Sequence, residues 1–357
     1  MKNLFYYLAL FVAVSVLFPS CNEDDPDLFP SEKIKGAYII NYGNYNHEGS
    51  SITKYNYESG ELINNYYQQQ NDLELVSSVQ YALTYKDSIY MIGNVKDQLI
   101  TVNPLFQQHL NGVTDGIANP RYAVADGDYL YISCLGETPD WSKMPDSYIA
   151  KFNIKTNKVE ETIPLPGGPE GMEIANGKVF VAMNYIDSIA VISTADKAIE
   201  YIATPAVSSY FVKDADNNLY VTLLSTWTDP SEQTGLGYIN TSTNELENIY
   251  PLEGISTSYS QVISINNDAS HIYVLQASWG QSGVVYNFDV ASKEFNSFAE
   301  NLTGANAVVS NPVNNDIYIL TSPGTSEAGI VKIYNENGSF VKDLICGINP
   351  YWVLFQE

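Results

Sequence analysis

The hydrophobic pattern of the chain repeats around a short apolar triplet, in which an aromatic residue stands between two aliphatic ones. The central aromatics are separated by 40 to 53 residues, and self-similarity at such a period indicates a repeat architecture. An aromatic residue with aliphatic neighbours is typical of a buried strand. The period fits the four-stranded blade of a β-propeller, which takes roughly 40–45 residues. The seven copies are Ala37-Tyr38-Ile39, Ile89-Tyr90-Met91, Leu130-Tyr131-Ile132, Val179-Phe180-Val181, Leu219-Tyr220-Val221, Ile272-Tyr273-Val274 and Ile317-Tyr318-Ile319.

Polar turns flank each triplet. An apolar segment and a turn come before it, as at Asp126-Gly127 and Asn176-Gly177, and such dipeptides supply the positive φ angles of tight hairpins. A variable loop, a further strand and a second turn come after it, as in the segment 151–159. Six of the seven units keep this second turn, and the unit with Asn103-Pro104 departs from it. Each unit is therefore predicted to be strand, hairpin, strand, variable loop, strand, hairpin and strand.

The C-terminal segment supplies the strand that the first repeat lacks. The segment 349–354 resembles 119–124, the start of an innermost strand, whereas the first triplet has no such strand before it. We therefore predict that Tyr351–Phe355 is the innermost strand of the blade that begins at Ile34, which leaves no open seam in the ring. The predicted fold is all-β: a seven-bladed β-propeller of four-stranded blades over residues 34–357, closed by the C-terminal strand pairing into the first blade.

The first 20 residues have the pattern of a targeting segment. Lys2 precedes an apolar run from Leu4 to Leu17, which is shorter than the ~20 residues of a membrane span. Ser20-Cys21 after this run resembles a bacterial lipoprotein signal peptide, cut before Cys21, whose thiol would carry the lipid. Phe18 and Pro19 depart from the usual residues of that motif, so an ordinary secretory signal cleaved near Ser20 stays an alternative.

Residues 21–33 are predicted to form an acidic, flexible tether. The segment 22–27 is rich in carboxylates and cannot bury enough apolar area to order itself. An acidic run directly after a lipidated cysteine also resembles the surface-export signal of Bacteroidota lipoproteins, which is the interpretation we prefer. The expected location is therefore the outer membrane, with the chain lipid-anchored and surface-exposed.

Charge and cysteine content exclude several classes of function. The net charge of −24 repels nucleic acid and anionic membranes, so we expect no nucleic-acid partner and membrane attachment only through the lipid anchor. Beyond Cys21 there are only Cys134 and Cys346, and whether they pair is left open. No Cys-x-x-Cys motif occurs, so the sequence carries no redox or zinc signature.

Catalytic patterns are also lacking in the sequence. The three histidines are scattered, and only His47, beside Glu48, lies in a predicted loop of the binding face. No Ser-His-Asp order, metalloprotease motif, phosphate loop or dinucleotide fingerprint is present. Acidic pairs such as Asp126/Asp128 are explained by turn chemistry rather than by calcium. We expect no catalytic residue, no metal site and no cofactor. We therefore expect that the protein is not an enzyme.

The variable loops indicate where a ligand would bind. Length differences are concentrated between the second and third strands, on the face where the innermost strands begin, and such variation marks a binding face. Aromatic side chains with a few polar groups are typical of small-molecule and protein sites. An alternative is that each tryptophan only holds its own loop to its blade. The predicted ligand-binding residues are Tyr42, Tyr45, Arg121, Tyr122, Trp141, Glu170, Tyr185, Tyr210, Trp227, Tyr259, Trp279, Tyr351 and Trp352.

These motifs resemble those of a known family. Leu219-Tyr220-Val221, the turn at 153–159 and the strand start at 119–122 are similar to the YncE-like, YVTN-repeat seven-bladed propellers over about residues 34–357. Together with Ser20-Cys21 and the acidic segment, the chain resembles the surface lipoprotein propellers of Bacteroidota, of which the BtuG-like group captures cobalamin. The resemblance is specific for the fold and weak for the function, because propellers host many activities.

The resemblance implies a function in uptake. It implies non-covalent capture of a corrinoid on the binding face and transfer to a TonB-dependent outer-membrane transporter. No ligand residue is transferred by motif. The same aromatic face suits a glycan or a protein partner, and a propeller enzyme of the quinoprotein or lyase kind is the less expected alternative.

Overall fold

Nearly all regular structure in the protein is β-strand. The computed structural model describes residues 35–44, 49–75, 77–137, 139–227, 230–231, 233–255, 262–277 and 281–357. The predicted signal peptide, Cys21 and the whole of the predicted tether lie outside these residues. One short helix, α1 (Tyr66–Asn71), occurs within them. The strands are β1 (Gly36–Asn41), β2 (Ser51–Asn56), β3 (Leu62–Ile63), β4 (Val79–Tyr85), β5 (Ser88–Gly93), β6 (Gln98–Val102), β7 (Pro120–Asp126), β8 (Tyr129–Cys134), β9 (Tyr148–Asn153), β10 (Lys158–Pro164), β11 (Pro169–Ala175), β12 (Lys178–Met183), β13 (Ser188–Ser193), β14 (Ile199–Ala203), β15 (Val207–Lys213), β16 (Leu219–Leu224), β17 (Gly235–Asn240), β18 (Glu245–Pro251), β19 (Ile263–Ile265), β20 (His271–Gln276), β21 (Ser282–Asp289), β22 (Glu294–Thr303), β23 (Ala305–Ser310), β24 (Ile317–Thr321), β25 (Ala328–Tyr334), β26 (Phe340–Ile348) and β27 (Pro350–Gln356).

Seven antiparallel sheets form the blades of a propeller, which confirms the predicted fold class. Blade 1 has the order β27-β1-β2-β3, and blade 2 is formed by β4, β5 and β6. Blades 3 to 7 each consist of four consecutive strands, from β7–β10 to β23–β26. The innermost strands are β27, β4, β7, β11, β15, β19 and β23. Each contacts the next, and β23 contacts β27, so the ring closes around a central channel.

Blade 2 is the one that lacks a full fourth strand. Outside β6 the chain makes only isolated bridges, at Leu99–Val113 and Val102–Gln108. The Asn103 side chain accepts hydrogen bonds from the backbone of Leu105 and Gln107, at 2.9 Å each, and so forms a turn in place of the hairpin. Pro104 removes a backbone donor at the same point. This is the unit whose sequence departs from the repeated turn.

The C-terminal strand closes the ring as predicted. β27 pairs antiparallel with β1, and Ile39 lies opposite Val353. The first blade therefore takes its innermost strand from one end of the propeller and its other strands from the opposite end. This pairing covers the edge of β1, which would otherwise offer unpaired backbone groups.

The apolar triplets form the centres of the second strands. All seven central aromatics are at most 6% exposed, from Tyr38 at 0% to Tyr90 at 6%. Tyr38 stacks on Phe106 with ring centroids 4.7 Å apart, so side chains of blades 1 and 2 share one hydrophobic cluster. The core therefore lies between the blades, where aromatic side chains bury large apolar areas.

The two late cysteines are separate. Cys134 lies in β8 and Cys346 in β26, and both are buried free thiols. Burial raises the pKa of each thiol to about 12. The question of their pairing is therefore answered: they form no disulfide.

Candidate functional site

One face of the ring carries the starts of the innermost strands together with the loops between the second and third strands. Antiparallel pairing within each blade places them side by side. In six of the seven blades a backbone N–H just after the second strand, or at its end in blade 6, donates to a carbonyl just before the innermost strand, whereas in blade 5 the Ser225 N–H donates to the Ile255 carbonyl. An example is Asn184 to Gly168, at 2.9 Å. We call this side of the molecule the channel face.

The innermost strands begin with a β-bulge in six blades, and the corresponding segment of blade 6 lies partly outside the described residues. A bulge adds a residue to one strand and turns its side chain out of the regular alternation. In this ring it directs polar and aromatic side chains at the start of the channel. The bulged residues include Gln80, Arg121, Glu170, Tyr210, Asn306 and Tyr351.

Four of these side chains meet in what we call the central polar cluster, defined as Gln80, Arg121, Glu170 and Tyr210. The Arg121 guanidinium donates to both carboxylate oxygens of Glu170, at 3.0 Å. The Tyr210 hydroxyl donates to Glu170 Oε1 at 3.0 Å, and Gln80 Nε2 donates to the same oxygen at 3.2 Å. Gln80 lies in blade 2 and Glu170 in blade 4, which are not neighbours, so this contact crosses the channel.

The cluster is buried and electrostatically paired. Its members are only 3% to 6% exposed, and the ion pair between Arg121 and Glu170 is 3.0 Å long. Burial lowers the pKa of Arg121, but the charge and hydrogen bonds of Glu170, together with Tyr210 and Tyr42, raise it, so the pKa lies above its ordinary value. Burial, followed by the charge of Glu170, raises the pKa of Tyr210 well above its ordinary value. Arg121 is therefore charged and Tyr210 neutral at physiological pH.

An aromatic layer accompanies the cluster. Tyr81 stacks on Tyr122 with ring centroids 3.8 Å apart, and Trp352 lies 5.2 Å from Tyr81. Tyr122 meets Tyr210 edge-on at 5.9 Å. Burial raises the pKa of Tyr122 well above its ordinary value, and the neighbouring Tyr81 adds to this effect. The layer joins blades 1, 2, 3 and 5 by aromatic contacts across the ring.

Hydroxyl groups of the second strands fix the bulges. Ser133 Oγ accepts from the Tyr122 backbone N–H at 3.1 Å and donates to the Glu170 carbonyl at 2.8 Å. Thr222 Oγ1 accepts from the Tyr210 backbone N–H at 3.2 Å. A bulge interrupts the strand ladder, so these buried amides need a side-chain partner.

The predicted site residues fall into three groups by exposure. Arg121, Tyr122, Glu170 and Tyr210 are buried, and Tyr42, Tyr185, Tyr351 and Trp352 are half-buried. Trp141 and Trp227 are 55% and 98% exposed. The structure thus brings the first group into direct contact beneath the face, while the two tryptophans stand at loop tips.

Local packing fixes two of the half-buried residues. The rings of Tyr42 and Tyr351 stack with centroids 4.7 Å apart, which joins the first loop of blade 1 to the start of β27. Tyr185 lies over Gly168, where a Cβ atom would approach the Tyr185 ring within 2.3 Å. Gly168 has φ +70°, so both its conformation and its contact with Tyr185 favour glycine.

Other predicted residues lie outside the described part of the chain. They are Tyr45, Tyr259 and Trp279 in the channel-face loops, together with His47 and Glu48. Of the remaining histidines, His109 is exposed and His271 starts β20 on the opposite face. Within the described residues no group of three His, Cys, Asp or Glu side chains is arranged to hold a metal ion.

Two polar members of the site, Gln80 and Asn94, were not predicted from the sequence. Gln80 bonds to Glu170, and Asn94 Nδ2 donates to Gln80 Oε1 at 2.7 Å. The sequence did carry a signal for the position of the site, because Arg121 is the only arginine in 357 residues and stands at a repeated strand start. The contact between Gln80 and Glu170 had no such signal, because it depends on how blades 2 and 4 face each other across the ring.

Comparison with known proteins identifies the family. The sequence matches the family described as Domain of unknown function (DUF5074) over residues 35–352. The chain belongs to this family. No curated protein gives a significant match.

Solved structures confirm the propeller fold. A quinonprotein alcohol dehydrogenase-like protein of Bacteroides thetaiotaomicron aligns with a TM-score of 0.69 and 14% identity, over 90% of this chain and 78% of that chain. The periplasmic gluconolactonase of Pseudomonas aeruginosa aligns with a TM-score of 0.66 and 12% identity, over 90% and 98%. Hydrazine synthase of Kuenenia stuttgartiensis aligns with a TM-score of 0.56 and 14% identity, over 69% and 73%. At these identities the similarity establishes the fold alone.

Among the described residues, no helix has the length and apolar character needed to span a membrane.

Proposed function

We propose that the protein is a lipid-anchored, ligand-binding propeller of the cell surface that captures a broad, flat small molecule of the corrinoid class, such as cobalamin. The ligand would then pass to a TonB-dependent outer-membrane transporter. The observation that carries the proposal is the combination of a channel crossed by buried side chains with exposed and half-buried aromatics on three consecutive blades.

The central polar cluster determines where a ligand can lie. Gln80 and Glu170 span the channel from non-neighbouring blades, and the stack of Tyr81 on Tyr122 accompanies them. These side chains are already packed and hydrogen-bonded, so a ligand entering at this level has to displace them. A ligand that rests across the channel face avoids that cost, and this favours a wide molecule over a narrow one.

Two exposed tryptophans and one half-buried tyrosine provide the contact surface. Trp141, Tyr185 and Trp227 stand in the equivalent loops of blades 3, 4 and 5. Trp227 is 98% exposed, so its indole contributes almost no burial to folding. Large aromatic side chains held at loop tips above a polar centre are typical of binding surfaces.

A corrinoid matches this arrangement chemically. Its ring is broad and flat, and its edge carries amide groups that donate and accept hydrogen bonds. Indole and phenol rings can pack on the apolar ring, while Asn94 and the hydroxyl of half-buried Tyr351 offer polar partners for the edge.

A second candidate is a glycan or protein partner. The exposure of Trp227 favours it specifically, because a fully solvated indole is also typical of a docking contact. This candidate uses the same loops and differs only in what covers them.

Calorimetric titration tests the proposal. The chain from Asn22 onward is titrated with cyanocobalamin, and we expect one-to-one binding that weakens at least about tenfold in Trp141→Ala and Trp227→Ala, which corresponds to about 1.4 kcal/mol. Tyr201→Ala is the matched control, because Tyr201 is 52% exposed on the outer strand of blade 4 and away from the channel face. Absence of binding at millimolar ligand would rule out the corrinoid and make the glycan or protein partner the leading candidate.

The lipid anchor is tested separately. Cells that express the full chain are labelled with a radioactive fatty acid, and we expect label in the wild type and none in Cys21→Ser. Label retained by Cys21→Ser would show that the proposed anchor is wrong without affecting the ligand proposal.

A further inference from the structure

Positive charge is nearly absent from the channel face. Residues 36–357 contain thirteen lysines and one arginine. Among the described residues, only Lys96 and Lys143 stand in the channel-face loops, and only Arg121 stands at the start of an innermost strand. The loop segments outside the described residues contain neither lysine nor arginine. Lysines such as Lys86, Lys155 and Lys197 lie instead in hairpins of the opposite face.

Carboxylates are frequent on the same face. Burial raises the pKa of Asp97, backbone hydrogen bonds lower it, and the Glu137 carboxylate of the next blade makes a smaller contribution that raises it. Carboxylates gathered on one face oppose the approach of a further anion. The acidic residues in the described channel-face loops include Asp97, Glu137, Asp140, Asp146, Asp187, Glu253 and Glu327.

The single guanidinium does not offset this charge. Arg121 is 6% exposed and holds both oxygens of Glu170, so its charge is balanced within the central polar cluster. An incoming carboxylate or phosphate would have to compete with a buried, bidentate partner. A guanidinium engaged in this way is a poor anion receptor.

In the described part of the chain, uncharged polar atoms without hydrogen-bond partners lie beside the central polar cluster. Ser209 Oγ, Asn94 Oδ1 and Trp352 Nε1 are buried and have no hydrogen-bond partner among the described residues. Ser209 precedes Tyr210 in the bulge, Asn94 bonds to Gln80, and Trp352 contacts Tyr81, so all three adjoin the cluster or its aromatic layer. They comprise a hydroxyl, an amide acceptor and an indole donor, which can pair with amide or hydroxyl groups but supply no counter-charge for an anion.

We infer that the channel face is selective for charge: it binds uncharged ligands rich in amide or hydroxyl groups and excludes anions such as phosphate esters and polycarboxylates. The inference rests on the proposed function in placing the ligand on this face. It does not depend on the ligand being a corrinoid.

Charge-selective fluorescence quenching tests the inference without a ligand. In variants that keep only Trp141 or only Trp227, with phenylalanine at the other tryptophan positions, quenching by caesium, iodide and neutral acrylamide is compared. At ~10 mM ionic strength, where the screening length is about 30 Å, we expect caesium to quench at least about twofold better than iodide, relative to each ion's effect on free tryptophan. At 1 M salt, where the screening length is about 3 Å, the two constants should converge. Iodide quenching equal to caesium quenching at low salt would overturn the inference.

Neutralising substitutions locate the charge. Glu137→Gln, Asp140→Asn and Asp146→Asn together should raise iodide quenching of Trp141 at low salt. The matched control replaces three exposed acids of the opposite face, Glu58→Gln, Glu245→Gln and Glu294→Gln, and should leave it unchanged. An equal effect of both triple variants would show that net charge, rather than the channel face, is responsible, and would overturn the local assignment.

A matched ligand pair separates this inference from the proposed function. Cyanocobalamin is compared with a corrin whose edge amides have been hydrolysed to carboxylates, so that shape is kept and charge changes. Binding of the amide form with at least about tenfold weaker binding of the carboxylate form supports both proposals. Equal affinities overturn the charge selectivity. If neither binds but quenching is charge-selective, the corrinoid proposal fails and the present inference stands.

Discussion

At the scale of single residues, the site depends on one ion pair. The sequence indicated that Arg121, Glu170 and Tyr210 lie near the channel mouth, and the structure places them in mutual hydrogen-bonding contact. Their burial was not predictable from the sequence, because both Arg121 and Glu170 follow a proline at a strand start and resemble exposed turn residues there. Burial follows from Gln80 and Tyr210, which approach from other blades.

Glu170→Gln should destabilise the protein strongly. The substitution leaves the Arg121 guanidinium buried without a counter-charge, and breaking such a pair costs about 3–5 kcal/mol. Urea unfolding followed by circular dichroism measures the change in free energy of unfolding. The double variant Arg121→Met with Glu170→Met should lose less than Glu170→Gln alone.

A surface ion pair provides the control for this experiment. Lys332 and Asp343 lie 3.3 Å apart with side chains 29% and 42% exposed. Asp343→Asn should therefore change the free energy of unfolding by only about 0–1 kcal/mol. If Glu170→Gln has an equally small effect, the central polar cluster is not a stabilising centre.

At the scale of elements, the repeated bulge is what converts a strand start into a site. The strand pattern predicted where the innermost strands begin, but not that one residue would be added there. The added residue is tolerated because a hydroxyl group of the second strand accepts a hydrogen bond from its backbone N–H, as Thr222 does for Tyr210. A serine or threonine in a strand is common, so this role has no clear sequence signal.

Thr222→Val tests the role of the hydroxyl. Valine keeps the shape of threonine but leaves the buried Tyr210 amide without its acceptor, which should cost about 1–3 kcal/mol. Thermal and urea unfolding give the change. Thr222→Ser retains the oxygen and should recover most of the stability, and a serine variant as unstable as the valine variant would contradict the hydrogen-bond explanation.

Removal of β27 tests ring closure. A chain that ends at Asn349 leaves β1 without its inner partner and opens the ring, so we expect loss of cooperative unfolding and aggregation through the exposed strand edge. Light scattering and calorimetry measure both effects. Deletion of Glu357 alone, which is exposed and lies beyond β27, is the control and should have no effect. An unchanged melting transition in the longer deletion would contradict closure by β27.

At the scale of the whole molecule, tyrosine packing between the blades makes the protein less stable at high pH. Burial raises the pKa of Tyr57, Tyr220 and Tyr273 from near 10 to about 12 each. Below pH 10 the phenols are neutral in both the folded and unfolded states, so their contribution to stability is complete. Above pH 10 the unfolded state ionises first, and this contribution is lost as the pH rises through about 12.

We therefore expect alkaline unfolding in which ionisation and loss of structure coincide. Absorbance near 295 nm follows the tyrosinates, and circular dichroism follows the strands. A substantial fraction of the tyrosines should ionise only as the circular dichroism signal collapses above pH 10. Ionisation of all of them near pH 10 with the strands intact would contradict the burial of these side chains.

The sequence by itself determined the number of blades, the position of the second strands and the closure by the C-terminal strand. These features depend on local periodicity and turn chemistry, and each repeat carries its own copy of the pattern. Tyr38 and Tyr318, for example, are the central aromatics of the first and last triplets. Only the tertiary structure decided that Arg121, Glu170, Tyr210 and Gln80 form one buried cluster. That cluster joins residues up to 130 positions apart across a channel, and its geometry depends on the angles between blades, which no single repeat encodes.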